Sequence, residues 1–531
     1  VSEPAADLLS GPANKPLAKT IDERESQELV IALVGPVGSG VTTSAGLLMD
    51  MLTTDFAYRV PPVFKQSEII ANECHRVGLG PVPPTPLSDY IDRMQTAGNL
   101  LRETFGPDYL AQKTIENIVK FRNASGGLVD GKVIPGRRAY IIDSLKNIEE
   151  LSLLRKVYRE ALCVFGIFAP DALRQGRLVD GGARSEDVAK IIKRDLAEAG
   201  TFGQMTRKVF SRSDFFVCND QKHEELRRKL RRFLDLIFDV GIHTPTRGEA
   251  AMYNADAAAA RSACMSRQVG AAIVSAGGEL VAVGRNDVPK FGGGLYTEDD
   301  QSIWDEKSKS VQDKDHRCFK WGGHICKNDE NRKRIVDGIV SKIASSDLLK
   351  RGKATSDVRK VLGETDVDDL TEFSRAIHAE MEAILSVARE GKHSLVGATL
   401  YATTYPCHNC ARHIVASGIT TVVFIHPYSK SKAIDLHHDA ITETPGQSDK
   451  VLFRQYDGVA PHNYLKSFST TRERKGDGGT FINKDPKKSV PIFKIPLDAQ
   501  IDYEFKVIAD LEDREHSSAA LGGVAHVSEE R

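Results

Sequence analysis

The sequence predicts two α/β layer domains in tandem, and three observations carry that expectation. The chain is 531 residues long, well beyond one ordinary domain. Its first half alternates short apolar runs with stretches of helical periodicity, the pattern of a mostly parallel sheet covered by helices. Its second half opens with a long Ala-rich helix through Met252 and Ala257 to Cys264, after which a hairpin signal begins a β-β-α-β-α-β order. Hydrophobic content of 41% and charged content of 27% suit globular domains with real cores. A formal net charge of −1 argues against an all-over basic surface for nucleic acid, while leaving room for a local basic pocket. Eight cysteines over this length make no disulfide framework. With no apolar run long enough to cross a membrane and no signal-peptide pattern, a cytoplasmic location and no membrane partner are expected.

Residues 1–28 carry Gly11, Pro12 and Pro16 among scattered charges without a period, and read as a mobile arm. The apolar run from Leu29 to Val34 that follows is typical of a buried parallel strand. It leads into Gly35-Pro36-Val37-Gly38-Ser39-Gly40-Val41-Thr42 and then a helical stretch through Leu47, Leu48 and Met51. Strand, glycine-rich turn and helix are the context of a phosphate-binding P-loop, where backbone N–H groups wrap the phosphate and the helix start adds its dipole. Gly35, Gly38, Ser39, Gly40, Val41 and Thr42 are therefore candidate contacts to a nucleoside triphosphate with Mg2+; the alternative is a phosphate-free structural turn. Val41 stands where a Walker A loop carries Lys, so ordinary phosphoryl transfer is not expected, although Thr42 keeps the magnesium-side hydroxyl.

A second apolar run ends in Asp143, a Walker B position for Mg2+, and further strands are expected at 162–168 and 214–219. Arg174 and Arg177 are either lid arginines of the kind nucleotide kinases carry or solvated surface residues. The basic run from Leu226 to Phe233 reads as a solvated helix face packed by Leu226, Leu230 and Phe233, the alternative being contact with RNA or phosphate. The P-loop domain is expected to span 29–244.

The second domain is expected to span 250–510, with a long insertion at about 288–373 and a disordered tail at 511–531. Its chemistry lies in His378-Ala379-Glu380 and Pro406-Cys407-His408-Asn409-Cys410, the His-x-Glu and Pro-Cys-x-x-Cys pairing of zinc deaminases. His378, Cys407 and Cys410 supply three ligands and leave the fourth tetrahedral position open, which marks a catalytic zinc. Glu380 is the group to carry protons between the water, the ring nitrogen and the leaving amine. Pro406 is expected to open a helix that puts both cysteines on one face. Within the insertion, Asp315, His316, Cys318, His324 and Cys326 either hold a second, structural zinc or are polar loop residues and reduced cysteines. A further cluster, His437-His438-Asp439, follows the last core strand.

With these residues placed, the second half resembles the deoxycytidylate deaminases of the cytidine deaminase superfamily. The segments from Ser266 to Ala271 and Gly284 to Asn286, then the two signature motifs, fall in that family's order. Over roughly residues 28–470 the chain resembles the two-part antiphage deoxycytidylate deaminases of bacteria, to which the segments from Pro427 to Ala433 and Gly458 to Pro461 add. The resemblance implies an N-terminal P-loop NTPase-like α/β/α domain with a regulatory role and a C-terminal cytidine deaminase-like α/β/α domain. It implies hydrolytic deamination of free dCTP, dCMP or both, which drains the dCTP a phage polymerase needs. It also implies a resting state that a small non-coding RNA inhibits in some members, and a homo-oligomer, hexameric among relatives. Carried over by position, Asn286 binds the sugar, the Ala379 backbone N–H the pyrimidine carbonyl, Thr404 lines the pocket and Arg267 contacts phosphate. Glu382 departs from the family, standing where many members have Asn. The competing reading, a cytosine deaminase acting on RNA or single-stranded DNA, needs a basic, aromatic-lined groove. The near-zero net charge and two tryptophans oppose it.

Overall fold

The computed structural model describes residues 20, 22–129, 132–196, 202–312, 314–346, 348–349, 352–365, 367, 370, 373–428, 430–470 and 472–525. The expected arm up to residue 19, Ser429 and the last six residues of the expected tail lie outside them. The chain forms two compact units, Val1–Thr244 with Leu465–Arg531, and Pro245–Tyr464.

In the first unit, five parallel strands are β1 (Leu29–Val34), β2 (Phe64–Lys65), β3 (Ala139–Asp143), β4 (Leu162–Phe168) and β5 (Phe215–Cys218). They run in the order β5-β4-β1-β3-β2. Every residue of β1 and β3 is buried, as their unbroken apolar runs require for strands covered on both faces. The central β1 delivers the glycine-rich loop and α1 (Val41–Thr54) to the carboxyl edge of the sheet, where open α/β folds bind ligands. In the helix His223–Phe238, Leu226, Leu230 and Phe233 are buried while Arg227 pairs with Asp50 and Arg231 with Asp55.

Glu28, at the end of the expected arm, is fully buried. It accepts hydrogen bonds from Arg122 on α2 (Tyr109–Ala124) at 2.7 and 2.8 Å, from Arg138 at 2.7 Å and from the Tyr140 hydroxyl at 3.2 Å. Arg122 then reaches Glu504, on the C-terminal helix Leu497–Ala525, at 2.5 and 2.9 Å. Buried charges are tolerated only when paired this fully. The structure thus gives Leu465 onward to the first unit rather than to the second domain, and the backbone stays helical through Ala525 where a disordered tail was expected. The Arg122–Glu504 pair is 382 positions apart, so no local pattern announces it.

The second unit holds a mixed sheet of β6 (Gly270–Val274), β7 (Leu280–Arg285), β8 (Thr399–Thr404), β9 (Thr421–His426), β10 (Ile441–Thr442) and β11 (Val451–Gln455). Its order is β10-β11-β9-β8-β6-β7, parallel from β8 to β10, with β6 antiparallel to both neighbours. Its main helices are α3 (Arg247–Ala259), α4 (Ala379–Glu390) and α5 (His408–Ala416). Where α4 crosses β7 the backbones nearly touch. A Cβ on Gly284 would come 2.2 Å from the Ala379 carbonyl oxygen and 2.5 Å from the Ala383 nitrogen. Glycine at that position lets the first turn of α4 rest on the sheet. The insertion carries a hairpin of Ile303–Asp305 and Ser310–Gln312 and the helices Lys327–Ala344 and Thr355–Leu362. No helix among the described residues is long and apolar enough to cross a membrane.

Candidate active site

Two helix starts in the second unit face one another. His378 caps α4 and Cys407 caps α5, both in extended backbone conformation, so α5 begins at His408 rather than at Pro406. The His378 Nδ1 atom lies 3.3 Å from the Sγ atoms of both Cys407 and Cys410. These three donors lie within 4.8 Å of one another, the one such group of His, Cys, Asp or Glu among the described residues. Two thiols and an imidazole at these separations fit a tetrahedral zinc, whose bonds run about 2.0–2.3 Å.

The three side chains set one another's protonation. The hydrogen bond from the Cys410 thiol, then the His378 ring, push the Cys407 thiol down to about 4. The Cys407 thiolate in turn drives Cys410 well above its ordinary value, with burial adding, and lifts His378 to about 9. Glu380, in the first turn of α4, is buried, and burial raises its carboxyl above the usual carboxylate range. A carboxyl raised in this way holds a proton more readily than a solvated one, which suits a group that takes up and hands on protons.

A cavity of about 150 Å³ opens in front of His378, with Arg267, Asn286, Cys264, Cys318, Cys326 and Arg375 among its walls. Asn286 lines it, yet both ends of its amide are tied to backbone, donating to the Arg267 carbonyl at 2.7 Å and accepting from Val269 N–H at 2.8 Å. The Arg267 guanidinium stands 6.0 Å over the Tyr428 ring. Ala379 is the first residue of α4, so its N–H has no partner within the helix. Thr404 ends β8 in register with His426 and is buried outside the cavity wall. Glu382 pairs with Arg389, 3.5 Å away and two turns along α4.

The donors expected at a second zinc are not brought together. Asp315 is buried in ion pairs with Arg317 at 2.7 Å and Lys320 at 3.1 Å. Although burial alone would raise it, the hydrogen bonds from Arg317 bring its carboxyl down to about 2. His316 stacks on Trp321, His324 Nδ1 faces the Phe319 carbonyl at 2.7 Å, and Cys318 and Cys326 face the cavity. Closeness along a loop does not fix where side chains point, and nearer partners engaged them first. His437, His438 and Asp439 form no donor group of three either.

In the first unit the glycine-rich segment forms the turn between β1 and α1. Gly40 has φ 87°, and a Cβ there would sit 2.1 Å from Asn219 Nδ2, so this residue must be glycine. Thr42 Oγ1 donates to Asp143 Oδ2 at 2.7 Å, joining the loop's hydroxyl to the strand-end acid, whose carboxyl burial raises. Ser39 is buried beneath Gly35, and Val41 opens α1. Arg174 and Arg177 lie against the loop rather than in solvent. Arg174 Nε donates to the Val37 carbonyl at 3.0 Å, and Arg177 to the Gly38 carbonyl at 3.4 Å and the Asn219 carbonyl at 2.9 Å. Sequence reasoning missed Asn219, which donates to the Ser39 carbonyl at 2.9 Å, together with Lys146 and Asp195. The position of Lys146, three residues past Asp143, was an available signal; Asp195 belongs to no motif.

Residues 245–426 match the family model of the cytidine and deoxycytidylate deaminase zinc-binding region. The deoxycytidylate deaminase of Enterobacteria phage T2 is 50% identical over 56 residues, 10% of this chain and 29% of that protein. The chain thus spans under a third of the length of that relative. A UPF0200 protein of Saccharolobus islandicus (strain Y.G.57.14 / Yellowstone #1) is 22% identical over 216 residues, 40% of this chain and 95% of that protein. Among solved structures, the dCMP deaminase from the cyanophage S-TIM5 in complex with dCMP and dUMP aligns with 40% of this chain and 99% of its own, at 18% identity and a TM-score of 0.22.

Proposed function

We propose that the second unit is a zinc-dependent hydrolytic deaminase of free deoxycytidine nucleotides, converting dCTP, dCMP or both to the uridine nucleotide and ammonia. The observation that carries this reading is the convergence of His378 Nδ1 and the Cys407 and Cys410 thiols beside the buried Glu380. His378, Cys407 and Cys410 would hold the zinc, which when bound activates a water for attack. Glu380 accepts a proton from the attacking water, delivers one to the ring nitrogen beside the reacting carbon, and protonates the departing amine. The free N–H of Ala379 holds the pyrimidine carbonyl, Asn286 faces the sugar, and Arg267 on the cavity wall meets phosphate.

The first unit acts as a regulatory nucleotide sensor. Gly35 to Thr42 hold the phosphates, and the Thr42–Asp143 pair is placed for Mg2+. Val41 at the lysine position favours holding a nucleotide over transferring its phosphate. In an infected bacterium such an enzyme drains dCTP. A small RNA inhibitor and a hexameric assembly belong to the same reading by resemblance.

The test is deamination of dCTP, dCMP, CTP and a cytosine-containing single-stranded oligonucleotide by the purified chain and Glu380→Ala, with zinc content measured alongside. Conversion of a free deoxynucleotide, abolished in a variant that keeps its zinc, supports the proposal. Reaction of the oligonucleotide alone moves the protein to the polynucleotide-editing class.

A further inference from the structure

We propose that the glycine-rich loop of the first unit binds the terminal phosphate of a nucleoside triphosphate with Lys146 as its cation, and that Asp195 holds that phosphate position until the nucleotide displaces it. This rests on reading Gly35 to Thr42 as a nucleotide site.

An anion already sits in the cradle, and it is the protein's own. The Val37 backbone N–H donates to Asp195 Oδ2 at 2.8 Å. Lys146 Nζ donates to the other oxygen, Oδ1, at 2.8 Å and to the Gly35 carbonyl at 2.9 Å. A loop amide and an ammonium converging on one carboxylate are the donors that a terminal phosphate oxygen takes from a P-loop and its lysine. The cation comes from a different place in the chain. Val41 cannot supply it, while Lys146 follows Asp143 by three residues and turns back to the loop. Cation, threonine hydroxyl and strand-end acid are thereby gathered at one loop.

Two further polar groups beside the loop lack a hydrogen-bond partner. Ser39 Oγ is fully buried and has no hydrogen-bond partner; it points inward, 2.6 Å from where a Cβ on Gly35 would lie. Arg174 is buried, its Nε on the Val37 carbonyl, and its Nη2 has no partner. Native proteins rarely leave such groups unsatisfied, and polyphosphate oxygens are acceptors suited to both. An ordinary structural ion pair accounts for Lys146 and Asp195 together. It does not account for the bond to the loop amide or for the two orphaned donors.

The exchange has a built-in readout. Asp195 belongs to the helix Ser185–Leu196, whose Val188 and Ile192 pack in a small apolar cluster that also takes in Val37 of the loop. Displacing Asp195 releases one polar tether of that helix, so loop occupancy is felt at the helix.

The experiment is equilibrium binding, with Mg2+, of ATP, GTP and their diphosphates, which carry no cytosine for the second unit. The proteins are the full chain, Lys146→Met, Lys146→Arg and Asp195→Asn, each checked for folding by thermal melting. We expect the wild type to prefer triphosphates over diphosphates by about 10-fold or more, Lys146→Met to lose that preference and Lys146→Arg to keep most of it. Asp195→Asn should bind triphosphates about 10-fold more tightly, because the competing carboxylate charge is gone. Hydrogen exchange provides a measurement that needs no variant: peptides spanning 185–196 should exchange faster when ATP is bound. Equal binding by all four proteins with unchanged exchange overturns this inference and leaves the P-loop reading standing. Folded proteins that bind no nucleotide, Asp195→Asn included, overturn the P-loop reading and this inference with it.

Discussion

In the second unit three donor atoms, one imidazole nitrogen and two thiol sulfurs, converge from two helix starts to within 4.8 Å, and each comes from a side chain. In the first unit the corresponding centre is a stretch of backbone, held open by glycine at position 40 and surrounded by side chains from separate elements. Side-chain chemistry is written as letters at fixed spacing, so losing one letter ends it. A backbone cradle can lose its usual lysine, as at Val41, and remain a cradle if another element brings a cation. A missing motif residue therefore means different things in the two units.

The largest expected effect tests the side-chain site. Glu380→Ala should lower kcat by about 10³-fold or more, followed as ammonia release, with zinc content unchanged. A variant that loses its zinc together with activity would make Glu380 a structural support instead. Next comes the framework of the first unit. Arg122→Met leaves the buried Glu504 without its arginine and Glu28 with Arg138 alone, and denaturant unfolding of that unit should show a loss of about 3–5 kcal/mol. The transition of the second unit should not move, and a shared shift would break the comparison.

Gly284→Ala is expected to cost the second unit about 1–3 kcal/mol by chemical denaturation, since the added methyl meets the Ala379 carbonyl and lifts α4 from the sheet. Because Glu380 rides on that turn, kcat should fall too, which distinguishes this change from a purely structural one. The smallest effect concerns His426 at the end of β9. Burial, then the Arg267 and His462 charges, push its ring down to about 4. Below its ordinary value near 6.5 the unfolded chain takes a proton that the folded one refuses, so stability rises with pH across that window. The second unit should lose about 1 kcal/mol from this ring between about pH 6.5 and 5.5, and His426→Gln should flatten that slope. An unchanged slope would mean that the ring titrates freely.

The two α/β units were legible from period alone, because buried parallel strands read as unbroken apolar runs such as Leu29 to Val34. The zinc-type trio was legible because its spacing is local: Cys407 and Cys410 share one helix start, and His378 begins another two residues before Glu380. What stayed hidden was long-range or directional. Glu28, Arg122 and Glu504 are three unremarkable charges until the fold brings them together. Asp315, His316, Cys318, His324 and Cys326 looked like a donor cluster because they are close in sequence, yet Asp315 is satisfied by Arg317 and His316 by Trp321. Lys146 stands three residues past Asp143 and was open to reading there, whereas Asp195 belongs to no motif and only the fold brings it to the loop.

The C-terminal helix, fastened through Arg122, has a consequence for the order in which the protein is made. The segment from Leu465 belongs to the first unit although the whole second unit is translated before it. The Glu28–Arg122 pair can form early, but its Glu504 partner leaves the ribosome only after the intervening chain, an interval on the order of 20–80 s at ordinary elongation rates. During that interval Arg122 has one carboxylate partner rather than two, and the face that will receive the last helix stands open to chaperones. The second unit, contiguous in sequence, can finish first.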